Sequence, residues 1–324
     1  SHREEGQSPL LFYSGSSGDL EDKNLDHEHN SGGFTLAKGP WNMSYVLGQF
    51  SSEWTYGGYY QEQENDHSRF TLGWAEGPDR FILYRDQQDK DLLQDSAFGI
   101  SETQVEDTAW GAEYSHLSFW KEALIAWGMT YRNEEMTYAL PAWFISYHGS
   151  RENYAPFAEI SFPFRELVVD LGLRYEIWDQ EDAADYEELV PKVSISYQTP
   201  EGKLWYLSAG RFFAMPSLYE LSYFDGWYAT EPNLSLKPEE GWSYELGLKG
   251  NDEHGSWNVG LFYLEMDDKI SIAPDWSQYI NIAEFRSWGI ESFRQWKLDP
   301  FWSLNFGFAW INAEEKADPS SSWT

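Results

Sequence analysis

The sequence predicts an all-β fold, a transmembrane antiparallel up-and-down β-barrel, from three observations. First, apolar and polar residues alternate along segments such as Leu167–Trp178 (LVVDLGLRYEIW), which gives a strand one apolar and one polar face. Second, aromatic residues make up 18% of the 324 residues, which is typical of rings gathered at both membrane interfaces. Third, short turn signals such as Gly77-Pro78-Asp79 alternate with longer polar connections, the loop asymmetry of outer-membrane barrels.

The turn signals divide the chain into about 15 predicted strands, each near the length that a tilted membrane strand needs. Two weaker candidates come first, at residues 10–14 and 33–37. The clearer strands follow in order at residues 41–49, 69–74, 80–85, 109–116, 123–131, 154–162, 167–178, 189–198, 204–213, 241–249, 256–265, 285–296 and 301–311. Acidic runs at 62–66, 86–107 and 179–188 are interpreted as solvated loops.

The polar face of the predicted strands indicates a wet interior. In the segment 167–178, Asp170, Arg174 and Glu176 fall on that face, and we expect them to form a lumenal charge ladder. The segment 301–311 repeats the pattern, because Trp302 and every second residue to Trp310 are apolar while small or polar residues lie between them. A soluble β-sandwich or soluble barrel remains the alternative fold.

Composition excludes several classes of function. The chain has no cysteine, so neither disulfides nor thiolate chemistry can contribute. Its net charge of -32 argues against binding nucleic acid, which requires clustered lysine and arginine. No apolar run is long enough for a transmembrane helix. No catalytic motif is present, so we expect no enzyme.

The number of predicted strands gives an expectation about where the two ends of the chain lie. If the short turns are periplasmic, the last strand runs outward and residues 312–324 end outside the cell, although single-chain bacterial barrels return both termini to the periplasm. We therefore treat residues 1–324 as one outer-membrane barrel domain that is incomplete at its C-terminus. The missing strands would be lost by truncation or supplied by a further protein chain that closes the barrel.

Specific motifs appear in the second half of the chain. Pro216-Ser217-Leu218-Tyr219-Glu220-Leu221 is followed by Pro232-Asn233-Leu234, Lys237-Pro238-Glu239 and Tyr244-Glu245-Leu246-Gly247. Together with the segments 154–176 and 281–292, these motifs resemble the barrel signature of TonB-dependent outer-membrane receptors. The resemblance covers residues 154–310 well, and earlier residues only by their strand rhythm. Two departures are Ala214, where the family usually has arginine, and the insertion Ser235-Leu236.

The resemblance implies a function and a set of partners. The family's barrels have about 22 strands and lie in the Gram-negative outer membrane, among lipid and lipopolysaccharide. They import a scarce small-molecule nutrient such as a siderophore or cobalamin. The TonB complex drives this import through a plug domain, which has no counterpart in this chain.

Two sets of residues are candidates for binding. The aromatic segment 218–228 offers stacking area with polar handles, and its candidate ligand residues are Tyr219, Tyr223, Phe224, Trp227 and Tyr228. The alternative for these residues is an aromatic girdle at the membrane interface. Carboxylates between 179 and 188 are candidates for a calcium site in an extracellular loop, and we expect no other cofactor. The candidate metal ligands are Asp179, Glu181, Asp182 and Asp185.

Two alternative functions remain open from the sequence. One is a passive pore, either a plugless porin-like barrel or a barrel paired with a separate plug chain. The other is a surface-binding scaffold whose acidic loops capture divalent cations or a partner. A large constitutive conductance would favour the first alternative over a plugged receptor.

Overall fold

The computed structural model of the protein describes residues 24–56, 59–96, 99–223, 232–316 and 321–323. They form a single 14-stranded antiparallel sheet in which each strand pairs with its neighbours in sequence. The strands are β1 (Asn24–Lys38), β2 (Trp41–Tyr56), β3 (Tyr59–Glu76), β4 (Asp79–Ser96), β5 (Gly99–Trp120), β6 (Ala123–Leu140), β7 (Ile145–Phe164), β8 (Leu167–Gln180), β9 (Tyr186–Gln198), β10 (Leu204–Ala214), β11 (Glu239–Asp252), β12 (Gly255–Ile272), β13 (Tyr279–Lys297) and β14 (Ser303–Lys316).

Helical structure is confined to two short elements in the described residues. A 3-10 turn, Pro141–Trp143, follows β6, and the helix α1 (Leu218–Ser222) follows β10. None of the described helices is both long and apolar enough to cross a membrane.

The predicted all-β, up-and-down architecture is confirmed. Every predicted strand from residue 33 onward corresponds to a strand of the sheet, and the candidate at 10–14 lies outside the described residues. The described part of the chain therefore contains 14 strands, and β1 and β14 are the two edges of a sheet that is not closed.

The strands extend much further than predicted at one end. The segment predicted at 80–85 is β4, which spans Asp79–Ser96, and the acidic runs 62–66 and 86–107 lie largely in β3, β4 and β5. The interpretation of these two runs as loops is wrong. Beyond the apolar band both faces of a strand can meet water, so backbone pairing continues without the alternation that marked the strands in the sequence.

The strand register places the alternating residues on two opposite faces. One directly paired row consists of apolar residues, Val169, Ile195, Leu207, Leu246, Leu261, Ile290 and Trp310. The adjacent row, displaced by one residue along each strand, begins with Asp170, Ser194, Ser208 and Glu245. We call these the apolar face and the polar face. Half of the Leu207 side chain remains exposed, so the apolar face has no protein layer over it in the described residues.

Aromatic rings on the polar face lie across glycines of the neighbouring strand. In each case the two residues are direct cross-strand partners, as for Phe212 and Gly241. A Cβ built at Gly241 would lie 2.8 Å from Cζ of Phe212 and 2.0 Å from the carbonyl oxygen of Glu265. The same arrangement joins Tyr84 to Gly111, Phe157 to Gly128, Tyr206 to Gly247 and Phe262 to Gly289. Each ring therefore occupies the space that a side chain at the glycine would take, a device that supports glycine positions in curved sheets.

Tight turns connect the strands at one end of the sheet, which we call the turn end. Gly39 and Gly77 have φ values of 59° and 60°, a left-handed conformation that glycine adopts without strain. At the β11–β12 turn, Asp252 pairs with Arg294 at 2.8 Å and accepts a hydrogen bond from the His254 backbone. Arg294 lowers the pKa of Asp252 to about 2, so this carboxylate is ionised near neutral pH and the ion pair persists.

Candidate functional site

The end of the sheet opposite the tight turns, which we call the mouth, carries a folded segment on the polar face. This segment comprises residues 215–223 and includes α1. Ser217 caps the helix, because its hydroxyl accepts a hydrogen bond from the Glu220 amide while the Glu220 carboxylate accepts one from the Ser217 amide. This reciprocal capping box defines where the helix begins. A five-residue helix has little intrinsic stability, so contacts with the wall must hold it.

Apolar contacts provide part of that attachment. Leu218 and Leu221 of α1 are buried against residues of β6 that alternate along its polar face near the mouth. We call this group the mouth cluster, and its buried members are Met136, Tyr138, Leu140, Leu218, Leu221 and Leu236. Leu140 and Leu221 are each only 1% exposed. The main apolar core of the described chain therefore lies inside the mouth rather than between two sheets.

A buried group of charges provides the second attachment. Glu134 of β6 forms ion pairs with Arg132 and with Arg151 of β7, and the Glu134 and Arg151 side chains are both 9% exposed. Arg151 also donates from Nη1 to the carbonyl oxygen of Pro216 at 2.5 Å, and its guanidinium lies 4.9 Å from the Trp178 ring. The wall and the segment 215–223 are thus joined by a charge-assisted hydrogen bond.

Two asparagines hold the second half of the connection between β10 and β11. Asn281 of β13 donates to the carbonyl oxygen of Lys237 at 2.9 Å, and its own side-chain oxygen accepts from the Lys237 amide at 2.9 Å. Asn233 donates to the Tyr279 carbonyl at 2.8 Å. Asn233, Lys237 and Asn281 all belong to the motifs noted in the sequence, so those motifs fix residues 232–238 against the polar face.

Aromatic residues of the mouth form a continuous row. Tyr138 and Tyr219 have ring centroids 5.6 Å apart, Tyr219 and Tyr223 are 6.0 Å apart, and Tyr223 and Tyr279 are 5.2 Å apart. All three contacts are edge-to-face, the geometry that aromatic pairs favour. Tyr219 remains 36% exposed. This tyrosine row combines ring surface with hydroxyl groups at the opening of the polar interior.

Two of the predicted ligand residues, Tyr219 and Tyr223, lie together in this row. The other three, Phe224, Trp227 and Tyr228, lie outside the described residues. Sequence reasoning missed Tyr138 and Tyr279, which come from β6 and β13 and meet the segment 215–223 only through the fold. That these residues bind a ligand stays a prediction.

The predicted lumenal charges are all found on the polar face of β8. Arg174 pairs with Glu176 at 2.5 Å and donates to the Thr130 hydroxyl at 2.6 Å, and Glu176 accepts from Asn153 at 2.8 Å. Arg174 also lines a cavity of about 500 Å³ on this face, together with Glu113, Glu159, Lys192 and Ser243. Asp170 lies further toward the turn end, directly paired with Ser161 and Ser194.

The four predicted metal ligands occupy the end of β8 and the bend after it, and all four are exposed. The Glu181 carboxylate accepts from the Ser150 hydroxyl at 2.8 Å, and the Asp185 carboxylate accepts from the Gln180 amide at 3.1 Å. Within the described ranges, no three histidine, aspartate or glutamate side chains are grouped closely enough to hold a metal ion. Calcium binding by Asp179, Glu181, Asp182 and Asp185 stays a prediction.

Comparison with known structures shows barrels of similar fold. The copper transporter OprC is 13% identical, with a TM-score of 0.69, over 91% of this chain and 54% of its own. The siderophore receptor PirA from Pseudomonas aeruginosa is 15% identical, with a TM-score of 0.68, over 90% of this chain and 57% of its own. The FrpB iron transporter from Neisseria meningitidis is 13% identical, with a TM-score of 0.69, over 92% and 53%. The chain thus spans about half the length of these structures.

The sequence itself matches a family model. Residues 5–323 match the family described as TonB dependent receptor-like, beta-barrel. This is a family of Gram-negative outer-membrane receptors and transporters. The match covers nearly the whole chain. The chain therefore belongs to the TonB-dependent receptors and represents their β-barrel portion.

Proposed function

We propose that this protein takes up a scarce nutrient, such as a siderophore, cobalamin or a similar small molecule, across the outer membrane. The observation that carries the proposal is the tyrosine row, Tyr138, Tyr219, Tyr223 and Tyr279, which lies where a ligand would enter the polar interior. Aromatic rings with hydroxyl groups suit ligands that have both flat apolar surfaces and polar edges. The task is binding and release, without covalent chemistry.

The proposal assigns a partner to each surface. The apolar face contacts the lipid and lipopolysaccharide of the outer membrane, because half-exposed side chains such as Leu207 and Leu246 then meet hydrocarbon. The polar face encloses the transport path. The TonB complex supplies energy through a plug domain that lies in this interior.

The open edges of the sheet imply a further partner. Along β1 and β14 one row of backbone N–H and C=O groups has no strand partner among the described residues. In hydrocarbon each such group costs several kcal/mol, so a membrane sheet must be closed. We propose that additional strands, from the same polypeptide or from another chain, pair with β1 and β14.

The experiment is an uptake assay in cells that depend on the full receptor. The probes are radiolabelled cobalamin, a ferric hydroxamate and a ferric catecholate, each measured with and without a functional TonB complex. Replacing Tyr219 and Tyr223 together by alanine removes the two rings that we propose contact the ligand, and each such aromatic contact is worth about 0.5–1.5 kcal/mol. We therefore expect a roughly tenfold or larger rise in the half-saturating concentration of the probe that is transported.

Tyr244→Ala is the matched control, because Tyr244 is a tyrosine of the apolar face with 39% exposure. It should leave the half-saturating concentration unchanged. Uptake that persists without TonB, or that responds equally to the control and to the double variant, would contradict the proposal.

A further inference from the structure

We propose that Arg151 is a positioning residue for ligand capture, which sets the orientation of Tyr219 and Tyr223 through its hydrogen bond to Pro216. The ligand part of this inference rests on the proposed function. Arg151 belongs to β7, and Pro216 lies 65 residues further along the chain. Its hydrogen bond to Pro216 joins it to the segment 215–223, and through this segment it acts on the tyrosine row.

The first step is that Arg151 is locked in place. Its Nε donates to Glu134, its planar guanidinium lies over the Trp178 ring, and its side chain is 9% exposed. Glu134 is also paired with Arg132, so one carboxylate is shared by two guanidinium groups. The three side chains together carry a net positive charge. The Pro216 carbonyl oxygen accepts a further hydrogen bond from Arg151. A guanidinium is a rigid fork of donors, which allows one side chain to serve Glu134 and Pro216 together.

The second step is that Pro216 controls the start of α1. Pro216 is fully buried and immediately precedes the N-cap residue Ser217. Its carbonyl is fixed by Arg151, and the next residue begins the capping box with Glu220. The hydrogen bond from Arg151 to Pro216 therefore sets the direction of the helix axis relative to the sheet.

The third step is that the apolar attachments do not fix this direction. Leu218 and Leu221 are buried in the mouth cluster, but apolar burial is non-directional and tolerates rotation more readily than a hydrogen bond does. Tyr219 follows Leu218 directly, and Tyr223 is the C-cap residue of the same helix. A change in the helix axis would therefore move both rings relative to Tyr138 and Tyr279.

The test compares three variants in the full receptor. Arg151→Met removes the contact to Pro216 and leaves Glu134 with Arg132 as its remaining ion partner. The double variant Glu134→Gln with Arg151→Met removes the same contact without leaving a buried carboxylate short of a partner, which guards against misfolding. Arg132→Met is the matched control, because Arg132 shares Glu134 but makes no described contact with residues 215–223.

The first readout needs no ligand. Hydrogen–deuterium exchange should show faster exchange of the amides in 217–223, including Glu220 and Leu221, in both variants that lack Arg151. Exchange in the strands β9, β10, β11 and β12 should not change, and Arg132→Met should resemble the wild-type protein. Arg151→Lys should give an intermediate result, since an ammonium group lacks the fork that reaches both acceptors.

The second readout is uptake of whichever probe the wild-type receptor transports. Loss of a charge-assisted hydrogen bond that orients the rings should raise the half-saturating concentration about tenfold while the maximal rate changes little. A purely structural role would lower the amount of folded receptor and the maximal rate instead.

The outcomes separate the two proposals. Unchanged exchange in 217–223 in the double variant overturns the inference, as does faster exchange with an unchanged half-saturating concentration. Equal effects of Arg132→Met and Arg151→Met also overturn it. If the wild-type receptor transports none of the probes, the proposed function fails, and the exchange comparison alone then decides whether Arg151 positions the segment.

Discussion

Leu207→Arg is expected to destabilise the membrane-inserted barrel by about 2–4 kcal/mol, the cost of an arginine at the middle of the lipid-facing surface. Leu207 lies on the apolar face between Ile195 and Leu246, so an arginine there has only apolar cross-strand neighbours. Ser208→Arg places the same side chain one residue further along β10, on the polar face beside Ser194 and Glu245. It should cost much less, because water and the Glu245 carboxylate can solvate the charge.

Equilibrium unfolding of the full receptor in lipid vesicles measures both variants against the wild type. The informative quantity is the difference in unfolding free energy between the two variants. The two sites are adjacent in one strand and receive the same arginine, so strand propensity and strand position are nearly the same for both. Equal destabilisation by Leu207→Arg and Ser208→Arg would show that the two faces are not lipid-facing and water-facing.

Gly241→Ala is expected to destabilise the sheet by about 1–3 kcal/mol, which is typical of overpacking a close contact. The added Cβ would lie 2.0 Å from the Glu265 carbonyl oxygen, so the backbone of β12 must move, and Phe212 must leave its position over the glycine. Gly260→Ala is the matched control on β12, because the nearest atom to its Cβ would be 3.6 Å away.

Thermal or denaturant unfolding would measure the free energy of unfolding of both glycine variants. The folded fraction can be followed on gels, where the folded barrel and the heat-unfolded chain migrate differently. The control should be neutral or slightly stabilising, since alanine restricts the unfolded chain more than glycine does. A tolerated Gly241→Ala accompanied by a destabilising Gly260→Ala would contradict the account of the aromatic–glycine contacts.

Sequence reasoning predicted the parts of the fold that periodicity controls. The alternation in 167–178 and 301–311 reports which side chains face lipid, and a tight turn such as Gly77-Pro78 reports where strands begin, so these features could be predicted. The mouth ends of β3, β4 and β5 could not, because polar residues on both faces carry no period.

The candidate site was predicted only where it is local in sequence. Tyr219 and Tyr223 lie within one aromatic segment and could be named, whereas Tyr138 and Tyr279 join them through strand register. The contact between Arg151 and Pro216 depends on the position of β7 and on the path of a connection between two other strands. No local pattern encodes either of these.

The most direct test of the central claim, that the apolar face contacts hydrocarbon, uses single cysteines in a chain that has none. Ile195→Cys and Leu207→Cys place a fluorophore on the apolar face, and Ser194→Cys and Ser208→Cys place it on the polar face of the same two strands. In lipid vesicles, quenchers attached to the acyl chains should quench the first pair strongly and the second pair weakly. Equal quenching of both pairs, or no lipid quenching at Ile195 and Leu207, would contradict the account.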